Sequence, residues 1–299
     1  MGAGTDEGAA VSGCLAHVAG GPRVHGGAAG SAAYRRRAAV TSRTSILFAT
    51  LALAAGPAVA AEALVAVAAN FAGAMAELEA AFEAGSPHRI RVSTGATGAL
   101  YAQATHGAPY DILMAADRAR PERLEAVGLA APASRRTYVV GRLVLWSAEP
   151  DRVSGNGVDT LRVGDFRRLA IANPELAPYG SAAREVLRGL GLYDPLRDRI
   201  VMGENIGQAH AMVATGSAEL GFVALSQLLG PEAERAGSRW PVPETLHAPI
   251  RQDLVLLRRG AGNAAARAFL DFLETPTARR ILVAAGYRVP PVPPRGEGS

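Results

Sequence analysis

Leu64-Val65-Ala66-Val67-Ala68 is followed at once by Ala69-Asn70-Phe71 and then by Ala72–Ala84. The first run is short and apolar. In the last, Met75, Leu78 and Phe82 recur at helical spacing. The reading is a strand, a tight loop of small uncharged residues, and a helix that starts immediately. The same junction recurs at Thr94-Gly95-Ala96-Thr97-Gly98, at Asn173 to Gly180, and at Asn205-Ile206-Gly207-Gln208. A helix N-terminus offers unpaired backbone N–H groups and a partial positive charge. Several such ends aimed at one point make an anion site without a lysine or arginine. The loop residues Asn, Thr, Tyr, Gly and Ala donate hydrogen bonds or let the backbone come close. That is the profile of a receptor for a small, fully ionised oxyanion.

Working outward, Arg89 to Ser93 alternates as a strand and Leu100 to His106 follows as a helix. Asp111 to Ala115 is a buried strand. Asp117 caps a helix around Arg120 to Val127, with Pro121 in its first turn. This alternation predicts a parallel sheet covered on both faces. Tyr138 to Ser147 is one long apolar strand, long enough to leave one domain and enter another. A second βα series follows at Leu169–Ala172, Ser181–Leu190, Ile200–Met202, Gln208–Thr215 and Leu220–Ala224. After a proline-rich stretch, Pro241–Pro249, come a strand at Asp253–Leu257 and helices at Ala264–Glu274 and Thr277–Ala285. The expected fold class is α/β, with two domains of mainly parallel sheet. Two hinge segments join them, near Tyr138–Leu143 and Glu244–Gln252, and ligand sits in the cleft between. Residues 61–141 plus 247–290 form one lobe and 142–246 the other, with 291–299 as a flexible tail.

The remaining residues, 1–60, read as an extension and a secretion signal. Arg35-Arg36-Arg37 and Arg43 make the positive region, and Ile46 to Ala55 is an apolar run too short to span a bilayer. Ala58-Val59-Ala60 fits the small-residue cleavage rule, placing the mature start near Ala61 in a secreted protein. All 31 basic residues are arginine, and the formal net charge of +4 arises mostly before Ala61. There is no basic run with interleaved aromatics, so a nucleic-acid partner is not expected. The one cysteine, Cys14, precedes the mature start, which leaves no disulfide and no thiolate metal site.

Few side chains suggest chemistry beyond binding. Thr97 reads as a helix N-cap whose hydroxyl could turn to a ligand instead. The glycine spacing around it matches neither a Walker loop nor the dinucleotide fingerprint. Asn70 reads equally as an N-cap or as an amide donor. Tyr179, stiffened by Pro178, offers a hydroxyl, and Ile206 a backbone N–H and an apolar wall. His88, His106, His210 and His247 lack metal-ligand spacing. Asp111 and Asp117 read as structural caps, Trp146 and Trp240 as core. No Gly-x-Ser-x-Gly elbow or nucleophile–base pair is present. No cofactor and no catalytic residue is expected. A sulfate receptor of the same fold, and a secreted enzyme acting on a phosphorylated substrate, remain alternatives.

At these loops the chain resembles the periplasmic molybdate-binding proteins of ABC importers. The resemblance rests on Val65 to Phe71, Gly98 to Gln103, Gly107 to Asp111, Gly141 to Ser147, Asn173-Pro174 with Ala177 to Gly180, Gly207 to His210, and Gly221 to Leu225. It covers 63–290 in order. It implies a two-lobed, type II periplasmic binding protein that holds molybdate or tungstate by hydrogen bonds alone. The ligand-binding residues it implies are Ala69, Asn70, Thr97, Tyr179 and Ile206. Ala69 stands where the family usually has a hydroxyl residue, Thr97 where it often has serine, and Ile206 where it often has valine. The implied partners are the oxyanion and an inner-membrane ABC permease with its ATPase, the receptor itself acting as a monomer.

Overall fold

In the computed structural model, which describes residues 60–229 and 237–291, the chain builds two five-stranded sheets that share one cleft. The N-terminal extension, the signal sequence and the tail after 291 lie outside the described residues. The first sheet opens with β1 (Glu62–Ala68), which passes through a 3₁₀ turn (Ala69–Phe71) into α1 (Ala72–Ala84). It continues with β2 (Arg89–Gly95), α2 (Thr97–Thr105), β3 (Ile112–Met114), α3 (Ala119–Ala126) and β4 (Arg136–Gly141). The second holds β5 (Leu143–Ser147), α4 (Gly157–Val163), β6 (Leu169–Ala172), α5 (Pro178–Gly189), α6 (Tyr193–Leu196), β7 (Ile200–Gly203), α7 (Ile206–Ala214), β8 (Leu220–Ala224) and β9 (Ser238–Pro241). The chain then returns to the first sheet as β10 (Ile250–Leu256) and ends in α8 (Ala264–Phe272) and α9 (Pro276–Ala284).

The strand orders are β2-β1-β3-β10-β4 and β7-β6-β8-β5-β9. The fold class is the expected α/β one, and each sheet combines parallel and antiparallel pairs. β1 pairs parallel with β2 and β3, but β10 runs antiparallel to both β3 and β4. β6 pairs parallel with β7 and β8, but β5 runs antiparallel to β8 and β9. The reason is connectivity. Right-handed βαβ crossovers keep successive strands parallel within a sheet. β5 and β10 are the strands that have just crossed between sheets, so they enter from the cleft side pointing the other way.

Tyr138–Ser147 is accordingly two strands. Gly141 still pairs with Ile250 in the first sheet, while Leu143 pairs with Ala224 in the second, so the chain changes sheets within Arg142. The proline-rich stretch between β9 and β10 is the second crossing. Two apolar clusters cover the faces of the first sheet. Phe71, Met75, Leu78 and Phe269 lie on the side of α1, α8 and α9; Leu100, Leu113 and Leu124 lie on the side of α2 and α3. Trp146, Ile171, Val186, Phe222 and Val213 anchor the core of the second sheet. Trp240 is only half-buried, short of the core position expected for it. Among the described residues no helix is long and apolar enough to cross a membrane.

Candidate functional site

Four helical starts meet where the sheets' C-terminal strand ends face each other. Ala69 and Asn70 leave β1 in the 3₁₀ turn, Thr97 begins α2, Tyr179 lies in the first turn of α5, and Ile206 begins α7. All five line one cavity, together with Gly95, Ala96, Ala116, Ala177, Pro178 and Asn205. The space measures about 190 Å³ including its mouth, and the centre of a water-sized sphere can move through only about 10 Å³ of it. Organic ligands need pockets of roughly 300–1,000 Å³. This one has the size of a single small ion. No charged side chain lines it.

Two capping expectations are corrected. The N-cap of α2 is Ala96, not Thr97, and no side chain caps there. The Thr97 hydroxyl oxygen instead accepts the Ala116 N–H at 3.0 Å, across the strand ends. That leaves the hydroxyl hydrogen for another acceptor. Asn70 caps nothing either, because the N-cap of α1 is Phe71. Its buried amide donates to Gln252 Oε1 and to Tyr287 Oη, each at 3.0 Å. Asp117 does accept from the first turn of α3, from Arg120 N–H at 3.0 Å. Asp111 accepts from Leu64 N–H at 2.8 Å and is structural. Asn205 caps α7 by accepting from the Gly207 and Gln208 N–H groups at 2.9 and 3.1 Å. The N–H of Ile206, a residue that lines the cavity, is left out of that cap.

Below the cavity floor lies a buried hydrogen-bond network that the sequence did not announce. Gln252, fully buried, donates through Nε2 to Tyr179 Oη at 3.1 Å. Its Oε1 accepts from Asn70 and from Tyr138 Oη. Tyr287 donates to the Asn70 carbonyl at 2.8 Å, and the Ser226 hydroxyl reaches the same carbonyl at 2.8 Å. Burial above all, then the neighbouring Tyr287, raises the Tyr179 hydroxyl well above the usual tyrosine value. It is a neutral donor at any physiological pH. Gly141 lies directly beneath: a β-carbon there would sit 2.0 Å from Tyr179 Oη, so only glycine fits. Gln252 falls in a segment recognised from sequence as a crossing. Tyr287 follows the last helix with no signal to mark it.

The two halves touch across the cleft mouth. Gly98 N–H donates to Leu176 O at 2.9 Å, and Arg120 Nη2 donates to Glu175 O at 2.8 Å while its other amino group pairs with Asp117. The carboxylate of Glu175 points outward to Arg184, with 76% of its side chain exposed, and Glu204 is also exposed. Neither brings an acceptor into the cavity. Among the described residues, no cluster of three or more His, Cys, Asp or Glu is arranged to hold a metal ion.

This arrangement, two α/β halves closing donor-bearing helix starts around an ion-sized cavity, defines a solute-binding protein. Residues 63–288 match the family model of bacterial extracellular solute-binding proteins, and the chain belongs to that family. It is 48% identical over 228 residues to the molybdate-binding protein ModA of Azotobacter vinelandii, covering 76% of this chain and 90% of that one. It is 47% identical over 231 residues to ModA of Rhodobacter capsulatus, covering 77% and 90%. The solved periplasmic molybdate-binding protein of Azotobacter vinelandii superposes with a TM-score of 0.74 at 42% identity, covering 77% of this chain and all of that one. The architecture is thus the two-lobed fold of periplasmic binding proteins.

Proposed function

We propose that this protein captures molybdate, or the isosteric tungstate, in the periplasm and delivers it to an ABC importer. The observation that carries the reading is the cavity itself: ion-sized, uncharged, and ringed by helix starts and hydroxyl donors. The ligand-binding residues are Ala69, Asn70, Thr97, Tyr179 and Ile206. Thr97 and Tyr179 donate through hydroxyls whose oxygens already accept from Ala116 and Gln252. Asn70 contributes through its backbone, since its side-chain amide is engaged below. Ala69 and Ile206 likewise offer backbone N–H groups at positive helix ends.

About five charge-assisted hydrogen bonds of roughly 1.5–3 kcal/mol each, less on the order of 4 kcal/mol or more for lost freedom, correspond to micromolar or tighter binding. A site that only donates rejects hydrogen phosphate, whose remaining proton needs an acceptor. The reading includes no catalytic step, since no base lines the cavity. The lobes are 61–141 with 247–290, and 142–246; they hinge near Tyr138–Leu143 and near Glu244–Gln252. The receptor works as a monomer, exported by the signal before Ala61, and its closed form docks on the permease with its ATPase.

Calorimetric titration of the mature protein against molybdate, tungstate, sulfate and phosphate tests this. Molybdate and tungstate should bind far more tightly than the other two. Equal affinity for sulfate and molybdate would overturn the selectivity.

A further inference from the structure

We infer that Gln252 and Tyr287 set the direction in which the Tyr179 hydroxyl points its proton, and so give the cavity its preference for fully deprotonated oxyanions. The inference deepens the reading of the site given above and rests on it. It follows from counting hydrogens along the buried network.

Three oxygens form a tight triangle at its far end. Tyr287 Oη lies 2.8 Å from the Asn70 carbonyl and 2.9 Å from Ser226 Oγ, which itself lies 2.8 Å from that carbonyl. Only two hydrogens, those of Tyr287 and Ser226, are available to three close oxygen pairs. If Tyr287 turned its hydrogen out of the triangle, two of the three pairs would face each other with no hydrogen between them. Buried oxygens at that separation repel strongly when unbridged. Tyr287 therefore keeps its hydrogen inside, and toward the Asn70 side chain it can only accept.

The consequence passes along the chain one link at a time. Asn70 must present its amide nitrogen to Tyr287 at 3.0 Å, and the same nitrogen meets Gln252 at 3.0 Å. Gln252 must then present oxygen to Asn70, which turns its own nitrogen toward Tyr179 at 3.1 Å. The Tyr138 hydroxyl does not decide the orientation, because its one hydrogen is shared between Gln252 Oε1 at 3.3 Å and the Ala115 carbonyl at 3.2 Å. The Tyr179 oxygen has its acceptor capacity filled from below. Its hydrogen has one remaining direction, into the cavity. Thr97 is set the same way by the Ala116 N–H, which as a backbone donor cannot reverse. Gln252 can reverse, and Tyr287 is what prevents it. Both are positioning residues that act through Tyr179.

The test uses the mature protein and compares molybdate with hydrogen phosphate at pH 8. Gln252→Glu replaces the donating amide by a carboxylate that accepts the Tyr179 proton, which turns a lone pair into the cavity. The added charge weakens both dianions alike. Reversal of the hydroxyl also creates an acceptor for the phosphate proton, so the preference for molybdate over phosphate should fall at least tenfold. Tyr287→Phe, which deletes one oxygen and preserves shape, should lower the same ratio in the same direction, with the melting temperature of the ligand-free protein recorded beside it. Wild-type binding of molybdate with an unchanged ratio in both variants would overturn this inference and leave the site reading standing. No molybdate binding by the wild type would overturn both. Should Gln252→Glu fail to fold, Tyr287→Phe decides alone.

Discussion

Tyr179 is a core side chain that the proposed reading also makes a ligand contact. It is almost fully buried, yet it lines the cavity. Tyr179→Phe should weaken molybdate binding by about 0.5–3 kcal/mol, a span that covers neutral and charge-assisted hydrogen bonds. The ligand-free melting point should change little. A lowered melting point with an unchanged dissociation constant would make Tyr179 a packing residue only. Ala69 offers the opposite experiment. It carries a methyl group at the cavity wall, so Ala69→Ser adds a donor without much bulk and should tighten binding up to about tenfold, or 1.4 kcal/mol. Titration of the two proteins side by side measures it. The sequence reading gathered the lining residues because each sits at a strand-to-helix junction, where backbone N–H groups are exposed by rule. It assigned Asn70 and Thr97 to capping because local sequence displays only local partners. The true partners, Gln252 on β10 and Ala116 just past the end of β3, lie 182 and 19 positions away.

The helices and their junctions determine how the halves meet. Gly98, in the first turn of α2, faces the loop before α5. A β-carbon there would lie 3.1 Å from Leu176 O and 3.2 Å from its α-carbon, both backbone atoms of the opposite half. Alanine favours the helix itself by roughly 0.5–1 kcal/mol. Gly98→Ala should therefore raise the melting temperature of an open, ligand-free protein slightly while weakening ligand binding by about 1 kcal/mol through crowding in the closed one. An unchanged affinity would mean the halves do not need this contact. At this scale most of the fold was legible. β6 and β8 were read end to end from their apolar runs, because strands buried on both faces leave no polar interruption. β9 was not, since Ser238-Arg239-Trp240-Pro241 lacks apolar character and is a strand only because β5 lies beside it. The antiparallel sense of β5 and β10 was equally out of reach, being a property of the crossings and of no residue pattern.

For the molecule as a whole, the buried tyrosines at the junction of the halves link stability to pH. Burial raises Tyr138, Tyr179 and Tyr287 above the ordinary tyrosine value. In the unfolded chain these groups lose their protons near pH 10. Above that pH the fold holds more protons than the unfolded chain does, so stability falls as pH rises. Below it the contribution is complete and does not vary. Thermal melts should show no tyrosine-linked change between about pH 7 and 9, then a decline above about pH 10 that is shallower in Tyr287→Phe. Parallel declines in the two proteins would exclude Tyr287 as a source.

Closure is the property that only the whole molecule can have. Ala69, Asn70 and Thr97 stand on the first sheet's side of the cavity, Tyr179 and Ile206 on the second's, and neither set surrounds a tetrahedral ion alone. The mouth is bridged by the Gly98–Leu176 and Arg120–Glu175 hydrogen bonds, so an ion can enter only if those part. These two bonds across the mouth are each worth about 1 kcal/mol, small enough for thermal opening. In the proposed reading, ligand adds hydrogen bonds available only when the halves meet, and so should draw the population to the closed form. Small-angle scattering of the mature protein should give a smaller radius of gyration with molybdate than without. An unchanged radius in a sample where calorimetry confirms binding would mean that the ion enters without parting the halves, and the hinge near Tyr138–Leu143 and Glu244–Gln252 would then have no role in capture.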